Sequence, residues 1–423
     1  MTTPPRTTRE IRIGDLKIGG GQPVLLQSMC ATKTTDVVAT AQMATMLAEA
    51  GAGLVRVAVD TKRDAEALRE ISLRTPARLS VDLHENHKLA ELAAPFVKKI
   101  RYNPGHLHHI DPETSWRDKV QRIADIAGAQ GCALRIGVNC GSLDPAKTSH
   151  DDGGIDTMPL LVSTLEHTEF LDAIGFVDYC VSLKSSDPLL VIRANREFAR
   201  RRPDVPIHLG LTEAGMPPEA LLKSRAALEP LLAEGIGDTL RVSLTVPNDR
   251  KAEEIEAGRQ ILANVAAGNI LTPDRLPLPR LNIISCPSCA RVENGAFVEL
   301  AETIREATRF VADRHSGETT RPIHIAVMGC RVNGPGETDK ADLGVWCGAT
   351  HANLKRGEML IGSFDYDQIV PRLLEELRRL MQQDRSSVGR QQDRMQNAEC
   401  RDQTAEFGVF LQPPVSSLRS LER

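Results

Sequence analysis

A chain of 423 residues is long enough for two or more domains and for at least one large core. Hydrophobic residues make up an ordinary 41%, but aromatics only 3%, so the core falls to Leu, Ile, Val and Ala. A net charge of −4 carries no polyanion-binding signature and excludes nucleic acid as an expected main partner, while leaving room for a local basic pocket. Met1-Thr-Thr-Pro-Pro-Arg6 has no apolar h-region, and no run approaches the ~18 apolar residues of a membrane span. Nine cysteines, an odd number thinly spread, argue against a disulfide scaffold. A cytoplasmic protein with free thiols and no membrane partner is expected.

From about residue 20 to about 265, short Val/Ile/Leu runs alternate with helical stretches. The runs are Val24–Met29, Leu54–Val59, Leu79–Leu83, Val97–Tyr102, Ala133–Val138, Val177–Leu183, Ile207–Leu211 and Leu240–Thr245. Such composition suits strands covered on both faces. Helices are expected over Val37–Ala50, Arg63–Ser72, Trp116–Ala129, Leu160–Ile174, Pro188–Arg200, Pro218–Ala233 and Glu253–Ala267. Eight βα units in about 250 residues predict a (β/α)8 TIM barrel of the α/β class. An open doubly wound sheet is the alternative, but no glycine-rich dinucleotide fingerprint follows the first strand.

Polar residues recur just past these strands: Gln27, Ser28, Asp60, Asp82, His84, Asn103, Asn139, Thr212, Glu213 and Ser243. In a closed barrel such strand ends converge on one mouth, where active sites are built. Arg56, Arg101, Arg135, Lys184 and Arg241 lie in or just past strands of that set. Buried unpaired cations are costly, so five on separate strands call for a shared anion. Guanidinium forks match phosphate oxygens, and a phosphate-bearing substrate is expected; internal Arg–carboxylate pairing is the competing explanation. His106, His108 and His109 raise the question of zinc, but their spacing is irregular and no carboxylate frame is apparent, so they read as exposed loop histidines. Cys30, Cys132 and Cys180 read as small buried hydrophobes.

Gly268 through Pro279 is rich in prolines that oppose regular structure and marks a boundary. The division expected is a barrel domain over 1–270, a second domain over 280–378, and a flexible tail over 381–423 dominated at first by Gln, Arg, Asp and Ser. In the second domain an apolar run, Leu281–Ile284, leads into Cys286-Pro-Ser-Cys289, and Ile323–Met328 leads into Cys330. A helix over Gly295–His315, a strand over Ala341–Val345, a hairpin-like return over His351–Leu360 and a closing helix over Tyr366–Arg379 complete a small α/β unit. Three cysteines at strand ends, with Glu337 seven positions after the third, look like a soft metal site with an incomplete thiolate set. Thiolates select zinc or iron–sulfur clusters. If Glu337 supplies the fourth ligand, iron–sulfur is the better reading; Cys347 is the alternative fourth donor.

The chain resembles the 4-hydroxy-3-methylbut-2-enyl diphosphate synthase family of the non-mevalonate route to isoprenoids. The motifs run in order from Val55-Arg56-Val57, Asp82-Leu-His84, Arg101-Tyr-Asn103-Pro-Gly105 and Arg135-Ile-Gly-Val-Asn139 to Val181-Ser-Leu-Lys184, Thr212-Glu213-Ala-Gly215, Arg241-Val-Ser243, Cys286-Pro-Ser-Cys289 and Gly329-Cys330-Arg-Val-Asn333-Gly-Pro-Gly-Glu337. The resemblance implies one [4Fe-4S] cluster per chain on Cys286, Cys289, Cys330 and Glu337. It implies reductive opening and dehydroxylation of 2-C-methyl-D-erythritol 2,4-cyclodiphosphate to the linear allylic diphosphate, with single electrons from reduced flavodoxin or ferredoxin. It also implies a homodimer in which the cluster domain of one chain covers the barrel of the other. Arg56, Arg101, Arg135, Asn139, Lys184, Arg241 and Ser243 would hold the substrate. Glu213 or His84 would deliver the proton that leaves with water, oriented by Asp82. The competing readings are a barrel enzyme with a structural zinc, a non-catalytic iron–sulfur module, and an iron–sulfur protein that has lost activity.

Overall fold

The computed structural model describes residues 6–144, 157–276, 280–312, 322–330 and 332–383. Eight parallel strands form the first sheet: β3 (Leu25–Met29), β4 (Leu54–Ala58), β5 (Leu79–His84), β6 (Lys99–Tyr102), β7 (Ala133–Asn139), β8 (Tyr179–Lys184), β9 (His208–Leu209) and β10 (Thr239–Leu240). Their order is β8-β7-β6-β5-β4-β3-β10-β9, and a parallel bridge between Val181 and Ile207 joins the two ends. The expected TIM barrel is therefore present, with every anticipated strand within a few residues of its place. β9 and β10 are shorter than anticipated, although the Arg241 amide still donates to Leu209 O at 3.0 Å. Some of the outer helices start where side chains cap them: Thr61 and Asp64 form a reciprocal capping box, and Ser115 accepts from the Asp118 amide. The buried interior is largely aliphatic, as the scarcity of aromatics requires.

An antiparallel hairpin precedes the barrel and was not anticipated: β1 (Ile11–Ile13) and β2 (Leu16–Ile18). Ile11, Ile13 and Ile18 are buried against Leu54, Ala133 and Cys180 at the starts of barrel strands. The hairpin thus floors the barrel at the end opposite the mouth.

A second sheet follows, in the order β11 (Leu281–Ser285), β12 (Ile323–Met328), β13 (Leu343–Cys347), β14 (His351–Arg356) and β15 (Met359–Asp365). The first three strands are parallel and the last two antiparallel. The helix expected over Gly295–His315 runs from Phe297 to Ala307, then restarts over Arg309–Ala312. A short helix over Gly334–Lys340 also appears, where Gly-Pro-Gly had read as loop; Pro335 at its first turn favours the start. The closing helix spans 369–383, so Met381 still packs in the second core; the rest of the tail expected over 381–423 lies outside the described residues. No described helix is long and apolar enough to cross a membrane.

This second sheet sits on the mouth of its own chain's barrel. Ser285 forms a parallel bridge with Ala214, its amide donating to Glu213 O at 3.2 Å. Thr245 Oγ1 donates to Cys286 O at 2.8 Å, Lys340 Nζ to Cys140 O at 3.1 Å, and Lys223 Nζ to Asn282 Oδ1 at 2.9 Å. Two glycines allow the approach: a Cβ on Gly336 would stand 2.5 Å from Gly141 O, and one on Gly215 (φ 96°) 2.8 Å from Ile283 O. The expectation that a second chain supplies the cover differs from this arrangement, in which one chain brings both halves together.

Candidate active site

Between the two sheets lies a cavity with about 660 Å³ of empty space, its opening to solvent included. All seven expected substrate-binding residues line it: Arg56, Arg101, Arg135, Asn139, Lys184, Arg241 and Ser243. So do Asp82, His84, Glu213 and the three cysteines Cys286, Cys289 and Cys330. Glu337 lies beside the cavity, not in its lining.

The cations are buried yet poorly matched. Six (the five expected and Arg291) face two lining carboxylates, Asp82 and Glu213, with Asp60 beside Arg291 and Glu254 3.6 Å from Arg241 behind the lining. Asp82 Oδ1 accepts from Arg101 at 2.9 Å, and its other oxygen is 3.5 Å from Arg291 and 4.0 Å from Arg56. Burial alone would raise the Asp82 carboxyl; Arg101, Arg291 and Arg56 reverse that and hold it well below the usual range. Arg135 bonds Ser182 at 2.6 Å, yet its Nε and Nη2, together with Nε of Arg101 and Nε and Nη2 of Arg241, have no hydrogen-bond partner among the described residues. Burial, then Arg135, Arg56 and Arg241, push Lys184 well below the normal lysine range. Internal carboxylates therefore do not account for this charge, and an anion with several oxygens would. Glycines make room for it: a Cβ on Gly137 would fall 2.2 Å from Arg101 Nε, and one on Gly210 2.5 Å from Lys184 Nζ.

Glu213 is buried and its carboxyl is raised to about 7, by burial first and then by the charge of Glu337, with Asn333 and Arg241 opposing. Asn333 Nδ2 donates to it at 2.8 Å. Asp82 therefore does not orient Glu213, as had been expected; it accepts from the His84 amide at 3.2 Å and otherwise holds guanidinium groups. Burial, Arg291 and Arg101 keep the His84 imidazole well below its ordinary value, hence neutral. Of the four non-glycine residues with positive φ among the described residues, His84 (54°), Glu213 (49°) and Ser288 (68°) line this cavity. Strain concentrated in this way is a mark of functional sites.

The thiols meet as the strand ends dictate. β11 and β12 lie in parallel register, delivering Cys286 and Cys330 side by side, and the turn after Cys286 returns Cys289. Cys330 is within hydrogen-bond reach of both Cys286 and Cys289, and the contact with Cys286 leads in raising its thiol to about 12. Cys330 thus contacts both other thiols, and sulfur donors gathered on two loops are a set that fits soft iron. Glu337 Oε2 accepts from Ser186 Oγ of the barrel at 3.1 Å. Cys347, the alternative donor, is buried against Tyr366 and does not line the cavity.

Two lining residues escaped the sequence reading. Arg291 bonds Asp60 at 2.8 Å and Asp82 O at 3.1 Å, joining the cysteine loop to the barrel. Asn333 holds Glu213 from above. The signal for both was their place one turn from a cysteine, in loops with little apolar content. Cys30, Cys132 and Cys180 are buried as expected. Of the three loop histidines, His108 and His109 are exposed, but His106 is not: it packs on His84.

Residues 8–259 match the family model described as the GcpE TIM-barrel domain, and residues 282–379 that of the GcpE protein C-terminal domain. The chain belongs to the GcpE family. Curated relatives in it are named 4-hydroxy-3-methylbut-2-en-1-yl diphosphate synthase (flavodoxin). That of Rhodopirellula baltica is 55% identical over 370 residues, covering 88% of this chain and 95% of the relative. That of Aquifex aeolicus is 39% identical over 377 residues, 89% and 97% of the two chains. Among solved structures, dihydropteroate synthase from Xanthomonas albilineans has a TM-score of 0.45 at 15% identity, over 63% of this chain and 99% of that one. That last likeness is too loose to bear on function.

Proposed function

We propose that this GcpE-family chain reductively opens 2-C-methyl-D-erythritol 2,4-cyclodiphosphate and removes one oxygen as water, giving (E)-4-hydroxy-3-methylbut-2-en-1-yl diphosphate. The observation that carries this reading is the juxtaposition of unpartnered buried guanidinium N–H groups with three converging thiols across one cavity. A diphosphate satisfies the first, and an iron–sulfur cluster the second. When bound to Cys286, Cys289, Cys330 and Glu337, a [4Fe-4S] cluster supplies single electrons and a Lewis-acidic iron. Residues 1–270 then form the substrate unit and 280–378 the cluster unit.

The chain's own residues do the rest. Arg56, Arg101, Arg135, Lys184 and Arg241 grip the diphosphate, with Asn139 and Ser243 as neutral donors. Binding a polyanion restores proton affinity that burial, and then the neighbouring cations, take from Lys184. Glu213, its carboxyl raised to about 7, keeps its proton more readily than an ordinary carboxyl and is the proton donor for the departing oxygen. Neutral His84 is suited to a hydrogen bond rather than to that role. Arg291 keeps the cysteine loop seated on the mouth and water out, which strengthens each ionic contact. Reduced flavodoxin is the donor in this reading, as the relatives' names indicate, with ferredoxin the alternative. The protein acts as a homodimer; a variant locked closed within one chain tests whether the cover comes from the same chain or its partner.

Anaerobic purification followed by an assay with a chemical reductant and the cyclic diphosphate tests the reaction. Protein replete in iron and acid-labile sulfide should form the allylic diphosphate; none formed would overturn the assignment. Zinc without sulfide would favour a structural metal instead.

A further inference from the structure

Away from the thiols, one other group of metal-binding side chains converges among the described residues. It stands at the rim of the mouth, where the loop after β5 meets the loop after β6. His84 ends β5, Glu85 follows it, and His106 ends the short turn Pro104–His106. One ligand atom from each of the three lies within 4.8 Å of the others. The Nδ1 atoms of His84 and His106 are 3.2 Å apart, and Glu85 Oε2 is 3.9 Å from His106 Nδ1. His109 stands on the outer side, its Nδ1 2.8 Å from the same Glu85 oxygen.

These distances suit a shared ion. Zinc–nitrogen bonds of about 2.0–2.1 Å place tetrahedral ligands about 3.3–3.4 Å apart, so the two imidazoles already have that spacing. The backbone fixes it: the Asn103 amide donates to His84 O at 3.0 Å, and Asn103 Oδ1 accepts from the Gly105 amide at 3.3 Å. Burial, then His109 and Arg101, hold the His106 imidazole down to about 3, so its lone pair is free at neutral pH. Two neutral rings meeting Nδ1 to Nδ1 form a hydrogen bond only when their tautomers differ, whereas a cation satisfies both. Arg101 and Arg291 oppose a dication here; Glu85 and Asp82 offset them.

We propose that His84, Glu85 and His106, with His109 at the edge, form a site for one zinc ion at the rim of the cavity, distinct from the thiol loops. The set of two imidazoles and one carboxylate also accepts ferrous iron, but zinc stands higher in the affinity order for such ligands and is the probe of choice. An ion on His84 Nδ1 leaves Nε2–H as that ring's donor, fixing the tautomer of a residue that lines the cavity.

The test uses anaerobically purified protein with its iron in place. Zinc chloride is titrated by equilibrium dialysis, and the zinc-edge X-ray absorption spectrum is read beside the iron. One zinc per chain is expected, with nitrogen and oxygen neighbours only and the outer-shell scattering of imidazole. Glu85→Gln should weaken zinc at least tenfold while iron content and zinc-free turnover stay unchanged, and His106→Asn should weaken it by more. Sulfur in the zinc shell, no bound zinc, or unchanged affinity in both variants would overturn the site. The readout is binding, so it stands apart from the reaction proposed above.

Discussion

The barrel and the second sheet both end parallel strands at one cavity, but they arm it in opposite ways. The barrel's charges sit on strands or immediately past them, so the ladder fixes their positions before any ligand arrives. The second sheet's thiols sit on loops and touch mainly one another. One half is a receptor already formed, at the cost of buried and unmatched charge. The other half has thiols gathered on loops rather than fixed along strands. Charge recognition and redox chemistry are thus separable within one chain, and substitutions should separate them.

The harshest break is Cys330→Ala, which removes the thiol in contact with both other cysteines. Iron and turnover should fall below detection, while calorimetry should show the cyclic diphosphate bound within about threefold of wild type, as for independent sites. Loss of substrate binding as well would merge the two halves. Glu213→Gln comes next, lowering turnover by about 10²–10⁴-fold with iron content intact. In the wild type the acid form is needed, so turnover should fall as pH rises through about 7. The stability effect has the same sign. A carboxyl raised in the fold contributes stability that is present below its ordinary value and lost as pH climbs through about 7, so melting temperature should fall across that window and flatten in the variant.

Arg135→Met sharpens the comparison from the other side. Losing a charge-assisted contact worth about 1.5–3 kcal/mol should weaken substrate binding about 10–150-fold without changing iron content. Removing an unmatched buried cation should also raise the melting temperature of the ligand-free protein; a decrease would mean Arg135 is structurally paired. The smallest effect is expected from Gly336→Ala, whose Cβ would meet the Gly141 carbonyl. It should lower turnover a few-fold by loosening the cover, leaving iron content unchanged. Unaltered turnover would show that this contact does not limit closure.

The barrel was legible because its strands are continuous Val/Ile/Leu runs and its cations recur at strand ends, a pattern that composition alone exposes. The cysteine loops were legible for a similar reason: each follows an apolar run. The β1–β2 hairpin was not, since strands of three residues carry too little periodicity to register. The Gly334–Lys340 helix was hidden by its glycines, which propensity reads as turn and tertiary contact with the Cys140–Ser142 loop overrides. Glu85 escaped because it is adjacent to His84 in sequence but needs His106, more than twenty positions on, to acquire meaning. Which barrel the second sheet covers is a matter of tertiary approach, and nothing in residue spacing encodes it.

The isoleucine floor laid by the amino-terminal hairpin has a corollary for access. With that end stoppered by hydrocarbon, exchange with solvent falls to the opposite end, which the cysteine loops roof. A roof that lifted for exchange would have to break Arg291 from Asp60 and Lys340 from the Cys140 carbonyl.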